Sequence, residues 1–246
     1  MRLTPSLPES LTVDGLVFAI RWSRRRRTIG ITVARDGGLR VLAPAGVRAR
    51  TLETMVRARL PWVRRKIAEF EALGPPPQPK RLVEGERLPY LGRTYRIVLV
   101  DAGRGDTGGS VPPVALRRGR FEIARDLDGA ARPALIAWYT GRARAHVEAA
   151  VATYVPLVGA TPASVVVRDL GITRWGVCNG RTRVVSFHWE LALHPAPLLD
   201  YVVVHERAHL LEPNHGARFW RHVEAVLPDW KARRSLLRQV AHSHTI

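Results

Sequence analysis

The strongest constraint in this chain is a run of apolar residues that ends in a cluster of polar ones. Leu198-Leu199-Asp200-Tyr201-Val202-Val203-Val204 leads directly into His205-Glu206-Arg207-Ala208-His209. The apolar run predicts a buried helix, expected over about residues 198–211. On that helix His205 and His209 stand one turn apart on one face. Two imidazoles so placed can reach one zinc ion at about 2.0–2.1 Å. Glu206 follows the first histidine by about 100° of rotation. It therefore stands beside the metal position without joining the ligand set. A zinc-bound water has its pKa lowered toward roughly 7, and a carboxylate at its side can accept the proton.

Catalytic zinc keeps three protein ligands and one open position. Pro213 cannot continue the helix, and Asn214 tolerates a left-handed turn, so the chain can double back to offer His215. The six-residue offset from His209 equals that of the H-E-x-x-H-x-x-G-x-x-H pattern, with Glu212 where that pattern has glycine. Glu212 is the alternative third ligand, but choosing it would leave His215 idle. The expected metal set is His205, His209 and His215, with Glu206 as the catalytic base. No fourth ligand lies nearby in the sequence, which separates this site from a closed structural zinc site.

Upstream, residues 173–189 read as two strands around an Asn179-Gly180 turn, and Val165-Val166-Val167 reads as another. Residues 15–43 read as strands, with Ile29, Ile31 and Val33 alternating, a turn at Asp36-Gly37-Gly38, and Leu39 and Val41 alternating again. A helix is expected over 47–73 with a break or restart at Pro61, β structure over 86–124 around a loop from Gly103 to Pro113, and further helices over 131–154, 216–227 and 229–241, the last opened by Asp229 as an acidic cap. Pro75-Pro76-Pro77-Gln78-Pro79 makes a stiff spacer. The expected organisation is a hairpin-and-helix portion, 1–79, and a hydrolase core, 80–246, forming one compact unit of α+β class. No internal repeat is visible.

The 246 residues carry a formal net charge of +18. Such a balance fits nucleic acid or an anionic substrate, and weak, salt-sensitive binding to nucleic acid without sequence preference is expected from it. All the basic residues except Lys66, Lys80 and Lys231 are arginines, a skew that GC-rich codons also produce. Arg24 to Arg27 form the densest run. No apolar stretch approaches the roughly 18 residues a membrane helix needs, and the start lacks the apolar run of a secretory signal. With one cysteine, Cys178, a cytoplasmic setting is expected.

The stretch from His205 to Trp220, HERAHLLEPNHGARFW, resembles the signature of the YgjP-type metal-dependent hydrolases, relatives of the SprT-type zinc metalloproteases. Arg174-Trp175-Gly176-Val177-Cys178 resembles that family's Arg-Trp-Gly-Ser-Cys segment, and Trp189 its tryptophan on the returning strand. Thr28 to Val33, Ala43-Pro44 and Tyr90-Leu91-Gly92-Arg93 are also similar. The resemblance implies a zincin-like α+β fold, Zn2+ on His205, His209 and His215, and Glu206 as catalytic acid/base. Val177 replaces the family's serine. Arg207 replaces its leucine and is expected to reach solvent or an acid, leaving the back of the helix less buried.

Other candidates are Arg174, Trp175, Arg181 and Arg183 for substrate binding. Arg174 is equally readable as a surface residue and Trp175 as core. Cys178 reads as a small buried hydrophobe, His188, His194 and His222 as structural, and Phe219, Trp220, Val223 and Leu227 as core over the metal site. His242 and His244 fall in the tail. The leading function is zinc-dependent peptide hydrolysis. The alternatives are hydrolysis of nucleotide phosphoanhydrides, with arginines holding phosphates, and a nucleic-acid-associated protein with structural zinc. The substrate is expected to be a polypeptide or another anionic molecule.

Overall fold

The computed structural model describes residues 8–34, 36–72, 74–75, 78–101, 112–171, 174–240 and 246. They form two compact units, Met1–Pro76 and Pro77–Ile246.

In the first unit Asp14 and Gly15 take φ values of 51° and 78°, the left-handed pair that a two-residue hairpin turn requires. They join β1 (Ser10–Val13) to β2 (Leu16–Ser23). β3 (Gly30–Val33) and β4 (Leu39–Pro44) form a second antiparallel hairpin, closed by Ala34 N–H on the Gly38 carbonyl at 2.8 Å. The hairpins meet through a parallel β2–β4 ladder, giving the order β1-β2-β4-β3. α1 (Ala49–Ala72) then buries Leu52, Val56, Leu60 and Val63. Those residues share a core with the inward positions Val13, Phe18, Ile20, Val41 and Ala43. The break expected at Pro61 does not occur. Its ring removes one helix hydrogen bond, but Leu60 and Val63, buried on either side, hold the helix in place.

The second unit opens with the same plan. β5 (Arg87–Tyr90) and β6 (Arg93–Val100) form a hairpin over Leu91-Gly92, with φ of 48° and 76°. β7 (Val114–Arg117) and β8 (Arg120–Ala124) form another, and β6 pairs parallel with β8. The order is β5-β6-β8-β7. A short 3₁₀ helix, Arg125–Ala130, leads into α2 (Ala131–Val158). Two ββββα motifs with identical strand pairing therefore exist where no repeat was visible in the sequence. Over the aligned first hairpins only Leu11/Leu88, Gly15/Gly92 and Ile20/Ile97 coincide. Strand pairing is set by alternation and turn chemistry, which many sequences satisfy.

α2 buries Leu135, Tyr139, Ala143, Val147 and Ala150, and packs against β7 on one side and the next helix on the other. That last part of the chain begins with β9 (Ser164–Arg168), β10 (Gly176–Asn179) and β11 (Val184–His188), in the order β10-β11-β9. β10 is antiparallel and β9 parallel to β11. The expected Asn179-Gly180 two-residue turn is a longer connection, Gly180 to Arg183. The Asn179 carboxamide oxygen accepts the N–H groups of Arg181 and Thr182, and Arg183 takes the left-handed conformation, φ 54°. A 3₁₀ helix, Trp189–Leu193, follows, then α3 (Ala196–Ala208), α4 (Ala217–Val226) and α5 (Trp230–Val240). α3 is shorter than the expected 198–211 span. Its regular bonding ends at Ala208, and the N–H groups of Leu210 and Leu211 bond three residues back. The Asp229 carboxylate, expected as a cap for α5, accepts from Arg233. Among the described residues no helix is long and apolar enough to cross a membrane.

Candidate metal centre

α3 places His205 and Glu206 in its last turn, and His209 is its capping residue, still in right-handed helical conformation with φ −68° and ψ −14°. The one-turn relation of the two histidines thus survives the early end of the helix. Beyond it the Gly216 N–H bonds the Asn214 carbonyl at 2.8 Å and α4 begins. Asn214 is not left-handed, contrary to expectation; it is absent from the positive-φ residues. The Glu212-Pro213-Asn214 segment turns the chain with negative φ throughout.

The turn brings His215 Nε2 to 3.0 Å from His205 Nε2 and 3.1 Å from His209 Nε2. One ligand atom from each histidine lies within 4.8 Å of the others. His209 Nδ1 lies 3.1 Å from the Glu212 carbonyl. That carbonyl only accepts, so Nδ1 carries the proton and Nε2 is a bare lone pair. A proton on His215 Nε2 satisfies one neighbour and leaves the other lone pair facing nitrogen. A cation among the three satisfies all of them. Two nitrogens at about 2.0–2.1 Å from one zinc at a tetrahedral angle stand roughly 3.3–3.4 Å apart, within a few tenths of an ångström of the observed separations. The residues fit a metal.

Electrostatics point the same way. Burial, with His209, His215 and Arg234, pulls His205 down to about 3, and burial with His209 and Arg234 lowers His215. Both are neutral near pH 7, the form that binds metal. Tyr201, buried, places its hydroxyl 3.5 Å from His205 Nδ1. Phe219, fully buried on α4, packs against all three imidazoles, with ring centres 4.5–4.9 Å away. Trp220 stacks on His215 and, from its other neighbours, on Trp230.

Glu206 is held from the strand side. Trp175 and His188 form a hydrogen-bonded pair, since the His188 N–H donates to the Trp175 carbonyl at 2.9 Å. Pairing alternates along an antiparallel ladder, so Gly176 and Cys178 turn their backbone groups to the free edge of β10. There the Cys178 N–H donates to the Glu206 carboxylate, and burial, the larger effect, pushes that carboxyl up to about 7. A Cβ on Gly176 would lie 2.4 Å from Glu206 Cγ, so only glycine fits. No local pattern singles out Gly176, because the contact joins residues thirty positions apart.

Glu212, weighed as a ligand, contributes its carbonyl to His209, and its carboxylate lies 4.0 Å from Arg218. Arg174 and Arg181 are exposed. Arg183 spends its guanidinium on the Thr161 carbonyl, at 2.6 and 3.2 Å. Trp175 packs edge-on against His194 at 5.1 Å and His188 at 6.0 Å. Burial and the Glu206 charge push the Cys178 thiol up, away from nucleophile chemistry. Buried His188 accepts the Glu190 N–H on Nδ1, so its Nε2–H faces Asp169 at 3.2 Å. His222 is half-buried on α4 and stands outside the histidine cluster. His242 and His244 lie outside the described residues. Arg207 corrects the expectation made for it. Its side chain is fully buried and donates to the Ala160 carbonyl just past the end of α2. It is shut off from solvent and meets no acid among the described residues, so the back of α3 is well covered.

Three imidazoles converge on one point and can hold one metal ion, and the buried Glu206 follows the first of them on α3. The family comparison agrees in class. The model of the YgjP-like metallopeptidase domain matches residues 27–240, and the chain belongs to that family of metal-dependent hydrolases. Among solved structures, the metallopeptidase zymogen of Pyrococcus abyssi abylysin is similar at a TM-score of 0.36 and 20% identity, over 41% of this chain and 99% of that one. No curated protein matches the chain.

Proposed function

We propose that this chain is a zinc-dependent peptidase in which His205, His209 and His215 hold the metal and Glu206 moves the proton. The observation that carries this reading is the joint placement of the Nε2 trio and Glu206. Zinc at that point would polarise a scissile carbonyl and acidify a water. A carboxyl near 7 can accept a proton from the attacking water and return it to the departing amine. Burial keeps Glu206 at that value, while the Cys178 N–H holds one carboxylate oxygen in place. The free edge of β10 runs beside α3. An extended peptide can add to such an edge through backbone hydrogen bonds while side-chain pockets select sequence. The outward backbone groups of Gly176 are the candidate partners. Arg174 and Arg181, exposed near the two ends of β10, suit acidic side chains.

The test is a zinc-loaded substrate screen with an unfolded protein and a nucleoside triphosphate panel, run beside Glu206→Gln. Proteolysis that the variant abolishes is expected. Phosphate or pyrophosphate release without proteolysis would replace peptidase by phosphoanhydride hydrolase on the same residues.

A further inference from the structure

The first ββββα unit has a helix face and an open face. On the helix face three bases pair with acids, Arg57 with Glu53 at 2.8 Å, Lys66 with Glu69 at 2.5 Å, and Arg64 with Asp14 at the β1–β2 turn, while Arg50, Arg59 and Arg65 stand exposed. The open face of the sheet is different. The registers Ala19↔Arg40, Arg21↔Leu42, Arg40↔Thr32 and Leu42↔Gly30 put Arg21 and Arg40 on the face opposite the core. Both are exposed, and as diagonal neighbours on adjacent strands they stand about 7–8 Å apart at the backbone. Arg26, three residues beyond β2, folds back so that its Nη2 lies 3.0 Å from where a Gly30 Cβ would be, on the same face. Thr12 and Thr32 add hydroxyls. The strand positions of this face carry no acid, and among the described residues neither the Arg21 nor the Arg40 side chain has an ion-pair or hydrogen-bond partner. The matching face of the second motif shows that this is a property of the first. There Glu122 stands where Leu42 does, and pairs with Arg120, the counterpart of Arg40, at 3.4 Å.

We infer that the open face of β1-β2-β4-β3 binds the sugar–phosphate backbone of duplex nucleic acid, without reading sequence. Guanidinium forks and hydroxyls are the donors that contact phosphates. The face presents no aromatic ring, so it offers no stacking platform for single strands. Its one largely exposed large apolar residue is Val17, at 60%, too little to anchor in a membrane. This site is independent of the metal centre.

The test uses the full zinc-loaded chain and a fluorescent mixed-sequence duplex, with binding followed by anisotropy across a salt series. Arg21→Ala/Arg40→Ala should weaken binding by about tenfold at low salt and flatten the log–log salt slope by roughly 2, since each lost phosphate contact removes about 0.9. Arg57→Ala/Arg64→Ala, on the helix face, should leave affinity and slope near those of the parent. Arg21→Gln/Arg40→Gln should repeat the loss, and unchanged circular dichroism melts show that folding is intact. An open-face variant that binds like the parent, a helix-face variant that loses as much, or a parent that ignores duplex at low salt would each overturn the proposal. So would binding to phosphatidylserine vesicles in place of duplex.

Discussion

The two ββββα motifs share strand order, pairing sense and left-handed hairpin turns, and they differ in what their helices touch. α1 buries one stripe, Leu52, Val56, Leu60 and Val63, and carries charges elsewhere. α2 buries Leu135, Tyr139, Ala143, Val147 and Ala150, and serves both its own sheet and α3, which carries the histidine pair. The same motif is complete as it stands in one place and is a floor in the other. Chemistry belongs to the chain laid on that floor, residues 159–246, and not to the repeated motif.

The largest test of this difference concerns the contact that links the laid-on strand to the laid-on helix. Gly176→Ala puts a methyl group into Glu206. We expect turnover to fall by about 100-fold or more with zinc still bound, because a displaced base loses what positioned proton transfer contributes. Metal analysis beside steady-state kinetics separates the two. Normal turnover would mean that Glu206 is not held by β10.

Arg207 fastens α3 to the end of α2. Arg207→Ala leaves a cavity and an unpaired Ala160 carbonyl, and should cost about 2–4 kcal/mol in denaturant melts. Arg207→Leu, which restores the family's residue, should cost less, because a buried cation is exchanged for packing. Equal costs would mean that the hydrogen bond, and not the volume, matters.

The hairpin glycines give the most direct comparison of the motifs. Both Gly15 and Gly92 are left-handed. A Cβ on Gly15 meets nothing within 4 Å, whereas one on Gly92 lies 2.8 Å from Pro195, at the start of α3. Gly15→Ala should cost about 1 kcal/mol from backbone strain alone. Gly92→Ala should cost about 2–3 kcal/mol, with overpacking added. Equal losses would show that the second hairpin does not brace the metal helix.

The smallest effect is electrostatic. Burial, and then the Asp169 charge, pushes Glu190 up to about 7 from an ordinary 4.5. The folded state thus holds this proton more tightly than the unfolded chain. Its contribution is fully present below about pH 4.5 and is lost as pH rises through 7. Glu190→Gln should therefore stabilise the protein by about 1 kcal/mol at pH 8, and do nothing at pH 4. Stabilisation that is the same at both pH values would contradict the cause given.

How far the sequence carried depended on the range of the signal. The histidine-bearing helix is legible because His205, Glu206 and His209 share one helical turn, and α1 because its apolar stripe keeps one period. The doubled motif was not, since Val13-Asp14-Gly15-Leu16 and Tyr90-Leu91-Gly92-Arg93 use different residues for one turn geometry. The end of α3 was misplaced because Leu210 and Leu211 continue the apolar pattern past the point where the backbone leaves it. Arg207 was misjudged because its partner, Ala160, is a backbone group, which no side-chain pattern reveals. Gly176 escapes notice because its contact is the Glu206 side chain, thirty positions away in the sequence.

The central claim is that three histidine nitrogens hold zinc in this chain. X-ray absorption at the zinc edge of the purified protein tests it without reference to any substrate. The expected spectrum shows three imidazole nitrogens at about 2.0–2.1 Å, one oxygen ligand at a similar distance and no sulfur. A sulfur shell at about 2.3 Å would place Cys178 on the metal and contradict the site described here.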